Sequence, residues 1–280
     1  MKAPCFTQNP RVQDPTAYAE YRVVSREELS LSRQRRSDNK FRSRQDLLDW
    51  GKRHDGIKFA VGEYLAIYLK KLSAKSILSL GCGECYHEYA IKLAAPEIKI
   101  TATDFDPFVV EKVRAFLPEI DTAEVFDIKQ DDFSRFQGKY DTVLMIGVDY
   151  VLSDDEVVDF LKKVSIVNAN HFIMISDSYI ASSQVLKHII LSRLSQLKWF
   201  LLRWEKRPSP GRFIGWARSR GEFVRLARMA GTVKLHQVIT GKPFNKSQAL
   251  LHIVPTSPQQ SPPVIKQTNI SEEMNQDAGF

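Results

Sequence analysis

Between residues 76 and 176, short apolar runs alternate with amphipathic stretches, and this rhythm restricts the fold more than any other feature of the chain. The runs "SILSL" (76–80), "IKITAT" (98–103), "AEVFDI" (123–128), "DTVLMIGV" (141–148) and "HFIMIS" (171–176) are each bounded by turn or charged residues. They read as strands buried on both faces. Helical patterns fill the gaps. Asp106-Pro107 supplies an N-cap and a proline at the first helical position for "PFVVEKVRAF", and Ser153 with Glu156 forms a capping box for "DDEVVDFLKKV". Strand and helix in regular alternation predict an α/β fold, a doubly wound and mostly parallel sheet covered on both faces.

The pattern changes after the fifth strand. Leu186, Ile190, Leu194, Leu197, Leu201 and Trp204 form an apolar stripe at helical spacing, decorated by Lys187, Arg193, Lys198 and Arg203. This predicts a long basic helix that runs into the Pro/Gly loop "EKRPSPGRFIGW". Ser219 and Glu222 then cap a helix that stops at Gly231, and "TVKLHQVI" and "QALLHIV" follow as two final antiparallel strands. The expected organisation is a basic, partly mobile segment over 1–42 and a main domain over 43–254. That domain opens with the helical pattern of 43–74 and carries a helical cap at 184–217. A disordered tail is expected over 255–280.

Charge is partitioned along the chain. The net +7 divides into +5 over residues 1–58, −10 over 76–183 and +10 over 184–234, with +2 and 0 in the remaining stretches. The basic excess therefore lies outside the motif-bearing core, and a nucleic-acid partner does not follow from it. Trp199, Phe200, Trp204, Phe213 and Trp216 stand among the arginines of 184–220. That mixture suits peripheral membrane contact through 184–217, an anionic or lipid-linked glycan acceptor, or a cap over the site; nucleic acid is the less favoured partner. The oligomeric state is not legible. "MKAPCFTQNPRVQDP" lacks a continuous apolar run, no stretch approaches bilayer-spanning length, and three cysteines make no disulfide framework. A cytoplasmic location is the expectation.

"SLGCGECYHEYAIK" (79–92) admits three chemistries. A Cys-x-x-Cys at the start of a helix is where a redox thiolate would be stabilised, but here the sheet continues through five strands of doubly wound type. Cys82, Cys85 and His87 could ligate a metal only with a further ligand, and no second Cys/His cluster exists to supply it, so no metal is expected. The third reading is a glycine loop for a nucleotide-like cofactor. Gly81 and Gly83, with Cys82 between them, directly follow the first strand, and Asp104 ends the second, where a carboxylate can accept from both ribose hydroxyls. A nicotinamide fingerprint wants glycine at position 86, which is Tyr86, so a nicotinamide-dependent oxidoreductase is the disfavoured alternative.

Together "ILSLGCGECYHE", "ITATDFDP", "EVFDI" and "YDTVLMIGVDYVLSDDEVVDFLKKV" resemble the class I S-adenosylmethionine-dependent methyltransferases, closely over 76–176 and more loosely to 254. The resemblance implies a Rossmann-like methyltransferase fold, with a seven-stranded sheet whose antiparallel last strand "QALLHIV" would supply, and S-adenosylmethionine as cofactor. It implies further that Gly81 and Gly83 line the methionyl moiety, Asp104 the ribose, Phe105 the adenine face, Asp127 with Ile128 the adenine edge, and Gly147 the floor. Asp131 or Asp132 replaces Asp127 if the third strand runs on to Gln130. Cys85, where many members carry a third small residue, reads as a packing group.

Methyl transfer needs alignment and exclusion of water, with a general base only when the acceptor keeps its proton at neutral pH. Candidates at the carboxyl edge are Asp149 and Tyr150 after the fourth strand and Asp177 and Tyr179 after the fifth; His87 opens the first helix, and His171, at the opposite edge, reads as structural. "GVDY" stands where amino-group methylases carry an Asn-Pro-Pro-Tyr-like tetrapeptide, which favours oxygen in a small-molecule or glycan-like acceptor. A catalytically silent, membrane-apposed binding protein on the same fold is the remaining alternative.

Overall fold

In the computed structural model of the 280-residue chain the residues described are 9–12, 21–22, 30–31, 34, 42–54, 56–177, 179, 211–244 and 248–256. Their strands, in chain order, are β1 (Asn9–Val12), β2 (Tyr21–Arg22), β3 (Ser76–Leu80), β4 (Lys99–Asp104), β5 (Thr122–Val125), β6 (Thr142–Ile146), β7 (His171–Ser176), β8 (Gly211–Ala217), β9 (Val233–Ile239) and β10 (Ala249–Pro255). The helices are α1 (Arg44–His54), α2 (Gly56–Lys71), α3 (Tyr86–Ala94), α4 (Pro107–Phe116), α5 (Asp154–Ile166) and α6 (Arg220–Ala230).

Seven strands form one sheet in the order β5-β4-β3-β6-β7-β10-β9. The first five are parallel, and β10 runs antiparallel to both β7 and β9, as expected for "QALLHIV". Alternate side chains enter opposite cores. Leu78, Leu80, Val143, Met145, Phe172 and Met174 pack beneath α5 and α6, whereas Ile77, Ile100, Leu144, Ile173 and Ile175 pack with Val61, Leu65 and Leu69 of α2 and Ile91 of α3. With both faces covered, most positions of the central strands are apolar, which is why these strands read as continuous runs.

The helix starts follow their local signals. Asp106 caps α4 by accepting from the Phe108 N–H, with Pro107 at the first position. Ser153 with Glu156, and Ser219 with Glu222, form complete capping boxes on α5 and α6, and α6 ends on left-handed Gly231. Each device satisfies otherwise orphaned backbone groups within one turn, so it acts locally.

Two expectations need correction. The third strand stops at Val125 rather than running to 128, because the Asp127 N–H turns to the Asp131 carboxylate at 2.8 Å and the chain enters a turn. The Pro/Gly loop expected over 205–216 ends in a strand from Gly211. The N-terminal segment supplies β1 and β2, which flank β8 antiparallel and parallel in a separate three-stranded sheet. Pro10 lies in β1, an edge strand, where its missing N–H is tolerated. The expected basic helix of 184–204 and the tail beyond residue 256 lie outside the described residues. No helix among the described residues is long and apolar enough to cross a membrane.

Candidate functional site

The strand order reverses between β3 and β6, because the chain proceeds outward from β3 through β4 to β5 and then returns to lay β6 on the other side of β3. Such a switch point leaves a crevice at the carboxyl edge of the sheet. The loops after β3 and β6 border it and touch one another. Gly81 has φ +70°, and a Cβ there would lie 2.6 Å from Cγ2 of Val148, so only glycine lets the two loops close. Gly83 is also left-handed at φ +54°, but a Cβ there would meet nothing within 4 Å. Open space lies beside it.

Backbone hydrogen bonds fasten this loop to β4. The Cys82 N–H donates to Thr103 O at 2.9 Å, and the Gly83 N–H donates to Asp104 Oδ2 at 2.9 Å. The other oxygen of Asp104 accepts from the Asp106 N–H at 3.1 Å. Asp104 is only 1% exposed. The carboxylate thus pins the glycine loop, a duty the sequence did not reveal. From the N-terminal segment, Ser30 Oγ donates to Asp106 Oδ2 at 3.0 Å.

Cys82 and Cys85 both stand in the loop between β3 and α3. Both are free thiols. Cys85 is buried, left-handed at φ 56°, and packs with Tyr86, Tyr89, Ala102 and Val110. Burial pushes its thiol well above the ordinary value. The Cys85 thiol draws that of Cys82 down, but burial and the nearby carboxylates of Glu88, Asp104 and Glu84 outweigh it and push Cys82 up to about 11. A protonated thiol is a poor nucleophile and a poor ligand. Among the described residues no group of three or more His, Cys, Asp or Glu is arranged to hold a metal ion.

Position 86, where a dinucleotide loop wants glycine, holds a buried ring whose hydroxyl donates to Leu47 O at 3.1 Å. His87 lies buried with its backbone carbonyl against Gly62 of α2. Burial and the positive charge of Lys58 lower its imidazole to about 3, so it is neutral at physiological pH. Glu88 was not foreseen. It is 1% exposed, Ser79 Oγ of β3 donates to its Oε1 at 2.5 Å, its Oε2 is buried without a hydrogen-bond partner, and burial raises its pKa. An acid in the first turn of a helix looks favourable from sequence, which conceals that its side chain points into the sheet.

Phe105 is partly exposed beside Asp104. Asp127 and Ile128 occupy the turn after β5, where Asp127 Oδ1 accepts from the Lys129 N–H at 2.9 Å and Ile128 packs against the core beneath α5. Asp131 and Asp132 are engaged locally, the first by the Asp127 N–H and the second by Ser134.

Across the crevice, Gly147 has φ +62°, its N–H donates to Ile175 O at 2.8 Å, and a Cβ would collide with the Asp177 carboxylate. Glycine is needed there so that Asp177 can lie against the backbone, in addition to any role as a floor. Gln248 donates to Asp177 Oδ1 at 2.7 Å. Asp149 is fully buried and accepts from Ser176 Oγ at 2.7 Å, whereas its neighbour Tyr150 is partly exposed. Both lie in a 3-10 turn, Asp149–Val151. His171 stands at the opposite edge, hydrogen-bonded at 3.1 Å to His252, which also contacts the Tyr68 hydroxyl at 2.9 Å.

No protein-family model matches the sequence, and no curated protein matches it. Solved structures do. The chain is similar to the S-adenosylmethionine-dependent methyltransferase SibL in its apo form, at TM-score 0.51 and 14% identity over 74% of this chain and 56% of that one. It is similar to the mitomycin 7-O-methyltransferase MmcR at TM-score 0.51 and 16% identity, covering 82% and 67%. Human N-acetylserotonin methyltransferase in complex with S-adenosylmethionine gives TM-score 0.52 and 14% identity, covering 78% and 58%. The chain thus spans little more than half the length of SibL and of the human enzyme. At these identities the likeness is one of fold, and the fold is that of the class I S-adenosylmethionine-dependent methyltransferases.

Proposed function

We propose that the protein is an S-adenosylmethionine-dependent methyltransferase that delivers the methyl group to an oxygen of a small-molecule or glycan-like acceptor. The observation that carries this reading is the left-handed glycine loop, pinned to the carboxylate that ends the neighbouring strand, with open space over Gly83 at the switch point. The three solved neighbours named above are methyltransferases, one of them in complex with S-adenosylmethionine. The bulky buried Tyr86 argues against a nicotinamide dinucleotide.

In this reading the glycine loop, with Cys82 supplying backbone only, meets the methionyl part of the cofactor, and Asp104 meets the ribose. Phe105 covers the adenine face, with Asp127 and Ile128 at its edge. When bound, the cofactor supplies a methyl group on a positively charged sulfur, and the acidic central block of the chain suits that charge. The protein's work is orientation and exclusion of water.

A hydroxyl acceptor also requires a route for its proton. His87, neutral and buried at about 3, is too weak a base for that task near pH 7. Asp149 is buried and accepts from Ser176, so it acts by holding its turn, and the partly exposed Tyr150, Asp177 and Tyr179 are the candidates left on this edge.

Isothermal titration with S-adenosylhomocysteine and with NADH tests the reading. Saturable binding of the first alone is expected; NADH binding without it would reverse the assignment.

A further inference from the structure

We propose that Arg218 is the positioning residue of the acceptor side of this site. The inference rests on the methyl-transfer reading above. The chain leaves the sheet after β7 and comes back through β8, and the two ends of that excursion meet in a parallel bridge between Tyr179 and Arg218. Arg218 is 1% exposed and among the largest fully buried side chains among the described residues. Its guanidinium reaches across to the turn after β6. Nη1 donates to Asp149 O at 2.9 Å, Nη2 to Leu152 O at 2.6 Å, and Nε to Asp154 Oδ1 at 3.1 Å. Arg225 of α6 pairs with the other oxygen of Asp154.

A buried guanidinium costs desolvation energy that apolar packing would avoid, so such a residue is weak support for a purely stabilising role. Its placement is informative instead. The three acceptors bracket the turn that carries Tyr150, and the planar fork fixes two backbone carbonyls and one carboxylate at once, which an ammonium on a flexible stem does not reproduce. Ser176 holds the same turn from β7 through the Asp149 carboxylate. The turn is therefore clamped from two elements, and one clamp is the stem of the excursion after β7. The glycine loop is held separately, by its bonds to Thr103 and Asp104 of β4.

The test uses the full chain with Arg218→Lys and the double variant Arg218→Met/Asp154→Leu, which replaces the buried pair by apolar groups. Three readouts are taken: S-adenosylhomocysteine affinity, transfer of label from tritiated S-adenosylmethionine into small molecules of a cell extract, and amide hydrogen exchange over 149–152. For Arg218→Lys we expect affinity within about twofold of wild type, label transfer reduced about tenfold to a hundredfold as for a misplaced reactive group, and faster exchange over the turn. The double variant should recover thermal stability without recovering transfer. Recovery of transfer together with stability, or unchanged exchange over 149–152 in Arg218→Lys, overturns the proposal. If wild-type protein binds no S-adenosylhomocysteine, the methyl-transfer reading has failed and with it the acceptor-side role given to Arg218; the exchange readout then reports on the clamp alone.

Discussion

Two glycines of the same loop, both left-handed, should respond differently to alanine. At Gly83 the added methyl meets nothing within 4 Å, so the cost to folding is the left-handed conformation alone, about 1–2 kcal/mol. At about 2–4 °C per kcal/mol for a chain of this size, that lowers the melting temperature by roughly 2–8 °C. At Gly81 the methyl would also stand 2.6 Å from Cγ2 of Val148. Val148 is β-branched and stiff, so the overpacking adds about 1–3 kcal/mol, for a total of roughly 2–5 kcal/mol. Binding should rank the other way relative to stability. The space over Gly83 is where the backbone would approach the cofactor, so Gly83→Ala should weaken S-adenosylhomocysteine about tenfold or more, near 1.4 kcal/mol, in a protein that still folds. Thermal melts and isothermal titration on the two variants read both quantities. Unimpaired binding by folded Gly83→Ala would refute the reasoning, as would a stability loss at Gly83 equal to that at Gly81.

Two further outcomes concern buried titratable groups. Burial raises the pKa of Glu88, so its ionised form opposes folding increasingly as pH rises above its ordinary value of 4.5; Glu88→Gln should stabilise the protein by on the order of 1 kcal/mol at pH 7 and by less at pH 4, and a denaturant melt showing a loss at pH 7 would contradict this. His252 is lowered to about 4 by burial and by His171 and His236, and burial likewise lowers His171 despite the opposing charge of Asp141. The unfolded chain therefore takes up more protons than the folded one between its ordinary 6.5 and about 4, and stability should fall as pH drops through that window; His252→Phe should flatten the slope, and an unchanged pH profile in that variant would remove the histidine cluster as its cause.

The parts of this molecule legible in the sequence are those written within a few residues of one another. The strands at Ser76–Leu80 and His171–Ser176 fall on their apolar runs, and the capping boxes at Ser153 and Ser219 close between residues three apart. Gly81 and Gly83 after one strand and Asp104 at the end of the next were visible because parallel neighbours in a doubly wound sheet bring their carboxyl ends together. The end of β5 was misread because apolar residues continue to Ile128 while the Asp131 carboxylate turns the backbone away at Asp127.

What only the tertiary structure decided are pairings whose partners lie far apart in sequence and share no local code. The small sheet joins β8 to strands 190 to 208 residues earlier. Arg218 grips a turn 64 to 69 residues before it. Hydrophobic periodicity determines that an element forms and which face it buries. Which polar group then meets which depends on strand order and register, and those are set by the packing of the whole sheet.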